Sequence, residues 1–291
     1  MVSMAVPALL AKHCAKTQER SDWLAALPDT IRDLESRWGI SLAAPFDHLY
    51  VSCSWVASAT LADGTHAVLK VGMPHMEAEQ ELEGLRFWNG DGAVKLLKSD
   101  RRINAILLER CEPGDPLLTV PETEQDAVIS ALLRRLWKTP PPQTFRPLSA
   151  LIAYWSDETR NAMQQWSDPA LVNDGLEMLA ALAGNGSDAR SDAVLLTTDM
   201  HAGNVLRAQR EPWLMIDPKP FVGDPAYDLT QHLFNCEHRL QTDPDSLIHR
   251  VADLAQVDAD RVRMWLFARA AAEPRTHWDN HWKMTLAQTL L

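Results

Sequence analysis

The sequence predicts an α+β chain in two parts, a small strand-rich part followed by a larger helical one. Three observations carry this expectation. Around residues 50–71, VSCSWVASAT and HAVLKV alternate with period two about the turn signal ADGT. From about residue 116 to 185 the apolar positions recur with helical spacing, and they do so again near the C-terminus. The densest run of functional side chains falls late, in loops between short apolar strands.

The opening stretch alternates between short apolar runs and turn residues, and the first hairpin ends in Lys70. MEAEQELEGLRFW is rich in helix formers, with Leu82, Leu85 and either Phe87 or Trp88 able to face inward, and it stops at the turn signal NGDG. AVKLLKSD and NAILLER read as two more strands, until EPGDPLL breaks the pattern with Pro and Gly. That break, near Cys111 to Pro116, predicts lobes at 1–111 and 112–291. In the second lobe TPPPQTFRP must be an extended connector, because each Pro removes a donor and disfavours helix before it. LAGNGSDARSD is a polar loop, and AVLLTTDMHAGNVLRAQREPWLMIDPKPFVGDPAYDL reads as strand, loop, strand pair and loop. DSLIHRVADLAQ and DRVRMWLFARAAA return to helix, with apolar residues three and four apart.

With 291 residues, 46% of them apolar, the chain can bury a sizeable core. A formal charge of −11 and a pI near 5.3 argue against nucleic-acid binding, which needs clustered Lys and Arg. The same balance suits a cationic ligand, or solubility alone. Cys14, Cys53, Cys111 and Cys236 are scattered and form no CxxC pair, so neither a zinc site nor a disulfide framework is indicated. MAVPALLA lacks a preceding basic residue, and Lys12, His13 and Lys16 follow it, a poor export signal. No apolar run reaches the ~18 residues of a membrane span. The expectation is a soluble cytoplasmic protein with no membrane partner.

Phosphoryl transfer needs a carboxylate to orient the attacking hydroxyl and take its proton, metal ligands for the nucleotide phosphates, and a cation on the remaining phosphate oxygens. In TTDMHAGN, Asp199 precedes Asn204 by five residues, and in WLMIDPK an apolar strand delivers Asp217 to a loop. Two oxygen ligands from different segments can then converge on Mg²⁺. Lys70 ends its strand, and Glu81 on the next helix could hold the ammonium, with Glu77 one turn earlier as the competitor.

TDMHAGNVL, IDPK and GDPAYD resemble the catalytic and metal-binding loops of the aminoglycoside and hydroxyurea phosphotransferases, a branch of the protein-kinase-like superfamily. The likeness is greatest to members acting on streptomycin. AVLKVG, EGLRFWNGDGAVKLL and AILLERCEPG follow the family's order, so the resemblance spans most of the chain. It implies a bilobal protein-kinase-like fold, with a small antiparallel-sheet N-lobe and a larger, mainly helical C-lobe. It also implies Asp199 as catalytic base, Asn204 and Asp217 on Mg²⁺, Lys70 with Glu81 positioning ATP, and the backbone of Glu109 to Cys111 at the adenine. The implied acceptor is a small molecule, a cationic aminoglycoside, with hydroxyurea or another small alcohol as the alternative. The sequence departs from the family twice. Thr197 and Thr198 stand where His-Gly usually precedes the catalytic Asp, and no Gly-rich phosphate loop occurs between Ser52 and Ser58, leaving hairpin backbone and hydroxyls such as Ser52 or Ser54.

Other readings compete. DMH followed by GD superficially matches a metallophosphoesterase, but Asp228 comes four residues after Asp224 rather than three, and no Asn-His pair follows. A nucleotide-binding pseudokinase would not need Lys70, Asp199, Asn204 and Asp217 together. His201 reads as a structural loop residue, and Lys219 as either a phosphate or substrate contact or a buttressing ion pair. Asp228 is expected to cap the next helix and secure the loop, and Asp224 could touch substrate. His277 and His281 share a helix face without a third metal ligand. Trp265 and Trp278 either fill the core or line an acceptor pocket, to which Glu237, Glu273 and Asp279 could contribute.

Overall fold

Residues before 50 hold more regular structure than their short apolar runs suggest. Leu27, Ile31 and Leu34 fall on one face of a 21-residue helix, α2 (Gln18–Trp38), whose Thr17 side chain accepts from Arg20 N–H and whose stop is Gly39 at φ 63°. A short helix, α1 (Ala8–Cys14), precedes it, and the strand β1 (Ile40–Pro45) follows. The computed structural model describes residues 5–47, 53–76, 79–184, 193–274 and 281–291. Ser52, Glu77, His277, Trp278 and Asp279 lie outside them, as does the side chain of His281.

Two compact units divide the chain: Met1–Asp115 with Arg207–Ile216, and Pro116–Leu206 with Asp217–Leu291. The first unit is built on a five-stranded sheet of order β1-β2-β3-β5-β4, with β2 (Ser54–Leu61), β3 (His66–Gly72), β4 (Leu96–Asp100) and β5 (Ala105–Glu109). All four pairings are antiparallel, and β3, the central strand, sets Lys70 opposite Val56 on one side and Ile106 on the other. Period-two alternation then sorts the side chains. Trp55, Ala57, Ala59, Ala67, Leu69, Val71, Ala105 and Leu107 join Leu10, Leu27, Ile31 and Leu34 in one core, which leaves Lys70 on the other face of the sheet. Helix α3 (Glu81–Trp88) buries Leu82, Leu85 and Trp88 and ends at Asn89, φ 48°. Phe87 is half-buried, so Trp88 is the inward residue of that pair.

The later segment joins the first unit through backbone bonds, Val94 N–H to Met215 O and Met215 N–H to Gly92 O, each 3.0 Å. Arg210 adds side-chain bonds to the carbonyls of Gly90 (2.6 Å) and Ala93 (2.9 Å).

The second unit is mainly helical: α4 (Glu122–Leu136), α5 (Leu148–Asn161), α6 (Pro169–Gly184), α7 (Pro225–Asn235), α8 (Glu237–Thr242), α9 (Pro244–Ala255), α10 (Ala259–Ala272) and α11 (His281–Leu290). Helix α10 is its centre. Val262, Trp265 and the whole run Leu266 to Ala272 are buried, as expected of a helix enclosed by others. Closest approach occurs at Gly175 of α6, where an added Cβ would stand 2.6 Å from Ala271 Cβ and 2.9 Å from Ala272 Cβ. Four short strands follow α6 in the chain, β6 (Val194–Leu196), β7 (Val205–Arg207), β8 (Trp213–Met215) and β9 (Phe221–Gly223), and β6 pairs antiparallel with β9.

Candidate active site

The β6–β9 ladder aligns Leu196 with Phe221, so the residues leaving β6 and those entering β9 are neighbours. Lys219 N–H donates to Thr197 O at 2.9 Å, and the Thr198 hydroxyl donates to Lys219 O at 2.5 Å. Thr198 has φ 50°, a left-handed conformation that a β-branched residue adopts only when its surroundings enforce it. The enforcing group is Asp228, fully buried on α7. Its carboxylate accepts from Thr197 N–H (2.9 Å), Thr198 N–H (2.6 Å), the Thr197 hydroxyl (3.1 Å) and Trp137 Nε1–H (3.0 Å). Burial pushes this carboxyl's pKa up, and the four donors oppose that push. Asp228 therefore secures the loop, as expected, but does not cap the helix. The cap of α7 is Asp224, which accepts from Ala226 N–H at 3.0 Å and Trp265 Nε1–H at 2.9 Å and pairs with Arg261. With its carboxylate so engaged and only 2% exposed, Asp224 is a structural acid rather than a substrate contact.

The loop that these anchors fix carries the candidate chemistry. Asp199 is half-buried and forms an ion pair with Lys219 through Oδ2. Asn204 ends a single helical turn and donates from Nδ2 to Asp199 O at 3.0 Å, so its Oδ1 is the atom suited to a hard cation. Gly203 N–H donates to His201 Nδ1 at 3.1 Å, and an added Cβ at Gly203 would stand 2.8 Å from the imidazole, which explains the glycine. Burial lowers the His201 pKa, while the charges of Asp199 and Asp217 raise it, so these three groups share one electrostatic neighbourhood. An Nδ1 acceptor on a ring of lowered pKa is a neutral imidazole with its proton on Nε2. His201 is thus the structural loop residue its context predicts. Asp217 follows the first unit's segment with φ 51°, a left-handed non-glycine residue like Thr198. Asn204 and Asp217 carry side-chain oxygens of the chemical kind Mg²⁺ takes.

In the first unit Lys70 and Glu81 are buried at 8% and 4% exposure, and Lys70 Nζ lies 2.7 Å from both carboxylate oxygens. The first turn of α3 further favours the Glu81 charge. Such a pair is costly to desolvate, so it is a weak source of stability at the sheet centre. The Glu109 side chain is occupied, accepting from Lys95 N–H at 2.7 Å and from Arg210 at 2.6 Å. Any ligand contact from Glu109 is left to its backbone. Cys111 is buried, its thiol pushed up to about 11 by desolvation, which rules it out as a nucleophile. Ser54 is buried at the start of β2.

Two features escaped sequence reasoning. Arg269 of α10 is fully buried over Trp155 (5.4 Å), Tyr227 (4.9 Å) and Phe234 (5.2 Å) and bonds to Glu273 and Gln231. Asp126 accepts from His232 (2.9 Å), Arg239 (2.8 and 3.0 Å) and Arg250 (2.9 Å) with no exposure at all. A cation within a buried helix was the only hint of the first. Trp265 is core, Glu273 is engaged with Arg269, and Glu237 is exposed and accepts from Gln241. The four cysteines are free thiols.

The five-stranded antiparallel sheet with its helical second unit is a protein-kinase-like fold, and the relatives make the chain a small-molecule kinase. The choline kinase LicA from Streptococcus pneumoniae shares this fold, with a TM-score of 0.61 at 13% identity over 91% of this chain and 98% of that one. The chain belongs to the aminoglycoside/hydroxyurea antibiotic resistance kinase family, whose pattern it matches over residues 41–279. It is 38% identical to a streptomycin 6-kinase of Streptomyces glaucescens over 77% of its own length and 73% of that protein's. A streptomycin 6-kinase of Streptomyces griseus is 33% identical, covering 94% and 90%. The hydroxyurea phosphotransferase of Kitasatospora aureofaciens is 35% identical, covering 74% and 63%. Among the described residues, no helix is long and apolar enough to cross a membrane.

Proposed function

We propose that this chain transfers the γ-phosphoryl group of Mg·ATP to a hydroxyl of a cationic aminoglycoside of the streptomycin type. The observation that carries the site assignment is the fixed Asp199 loop, in which one buried anchor, Asp228, holds both amides that precede the carboxylate. Asp199 orients the acceptor hydroxyl and takes its proton. Asn204 and Asp217 hold Mg²⁺, which when bound neutralises phosphate charge. Lys70, oriented by Glu81, holds the α- and β-phosphates, and the backbone of Glu109 to Cys111 receives adenine. On this reading residues 1–111 serve the nucleotide and 112–291 the chemistry and the acceptor. The relatives' names and the net charge of −11 support a polycationic acceptor. A cytoplasmic enzyme, where ATP and reduced thiols coexist, fits the four free cysteines.

Mass spectrometry of products after incubation with ATP, Mg²⁺ and an antibiotic panel tests the reading. A single phosphoryl adduct on streptomycin is expected. An adduct on hydroxyurea alone would move the acceptor to the second reading, which the 35% identity to the Kitasatospora enzyme favours. Asp199→Asn is expected to keep nucleotide affinity and lower turnover by about 10² or more, measured by steady-state kinetics.

A further inference from the structure

The ion pair at the base is harder to explain than the base itself. A carboxylate that must meet the acceptor's hydroxyl has its Oδ2 occupied by an ammonium, since Lys219 and Asp199 are paired, with side chains 21% and 16% exposed. Nor is the contact a loose surface encounter. Lys219 lies between Pro218 and Pro220, its N–H donates to Thr197 O at 2.9 Å, and its carbonyl accepts from the Thr198 hydroxyl at 2.5 Å. Thr197 and Thr198 are themselves held by Asp228, so base and cation hang from one anchor.

We propose that Lys219 is a catalytic residue that grips the terminal phosphoryl group of the nucleotide, and that its bond to Asp199 is a resting contact the triphosphate competes for. The proposal rests on the kinase reading above. A base that takes the acceptor's proton lies beside the attacking oxygen, which itself lies within ~3.5 Å of the terminal phosphorus. An ammonium touching that carboxylate is therefore within reach of the equatorial phosphoryl oxygens, where charge spreads during transfer. As the acceptor oxygen bonds to phosphorus, the bond to the bridging oxygen breaks and ADP leaves with its electron pair. The hydroxyl proton passes to Asp199, from which Lys219 has shifted toward the phosphoryl oxygens.

The test is equilibrium binding of Mg·AMP-PNP and Mg·ADP by calorimetry to the full chain and its variants. Lys219→Met is expected to weaken AMP-PNP about tenfold or more while moving ADP by less than about twofold, since only the triphosphate carries the group the ammonium grips. Lys219→Arg should keep most of the preference, and Asp199→Asn, which leaves the ammonium in place, should bind both AMP-PNP and ADP as wild type does. Equal losses for both nucleotides in Lys219→Met, or no loss, would reduce Lys219 to a loop buttress and overturn the proposal. A wild-type chain that binds neither nucleotide would instead overturn the kinase reading, and this role with it.

Discussion

Asp228 shows how much one side chain can fix. Four donors meet its carboxylate, two of them the amides that precede Asp199. In Asp228→Asn the amide nitrogen would face N–H and O–H groups that need an acceptor, so a stability loss of about 2–4 kcal/mol is expected, read from urea unfolding. A second residue-level consequence concerns pH. Because burial holds the His201 pKa below 6.5, the unfolded chain takes up a proton that the folded chain refuses. Stability contributed by neutral His201 is present above pH 6.5 and falls as pH drops through that value. His201→Asn can still accept from Gly203 N–H, and its melting temperature should fall less than wild type's between pH 7.5 and 5.5. The acids of GDPAYD could be singled out from the sequence, but not their division of labour. Which carboxylate caps and which anchors depends on the positions of Trp137, Trp265 and Arg261, at distances no local pattern encodes.

Among elements, legibility followed the period of the apolar pattern. The β2–β3 hairpin and the strands β4 and β5 were readable because alternation and turn residues coincide there. Helix α2 was not, because Pro28 within it and its many polar residues mask the stripe of Leu27, Ile31 and Leu34. The strand pair expected after the Asp199 loop is present as the short strands Val205–Arg207 and Trp213–Met215, but the bonding of Met215 to Gly92 and Val94 is long-range and leaves no local trace. The α6–α10 contact is a similar case, since Gly175 looks like a weak point in a helix until its neighbours are known. There Gly175→Ala should destabilise by about 1–3 kcal/mol through overpacking against Ala271 and Ala272, although alanine is the better helix former. A thermal melt reads the sign, and a stabilised variant would contradict the close approach.

Over the molecule as a whole, stability and function can be separated at the Lys70–Glu81 pair. Lys70→Met alone strips a buried carboxylate of its ammonium and should cost about 3–5 kcal/mol. Lys70→Met with Glu81→Leu should recover most of that loss in urea unfolding while nucleotide affinity stays impaired, if Lys70 serves the phosphates. Full recovery of affinity in the double variant would assign the pair to folding alone.

The first unit is also discontinuous in the gene: ten residues, Arg207–Ile216, belong with Met1–Asp115 although ninety-one residues intervene. A chimera joined once, after Asp115, would inherit its sheet from one parent and Met215 and Arg210 from the other, against carbonyls of Gly90, Gly92 and Ala93 they did not evolve beside. A chimera that keeps each unit from a single parent therefore needs further crossovers around Arg207–Ile216, or parents already matched along this short segment.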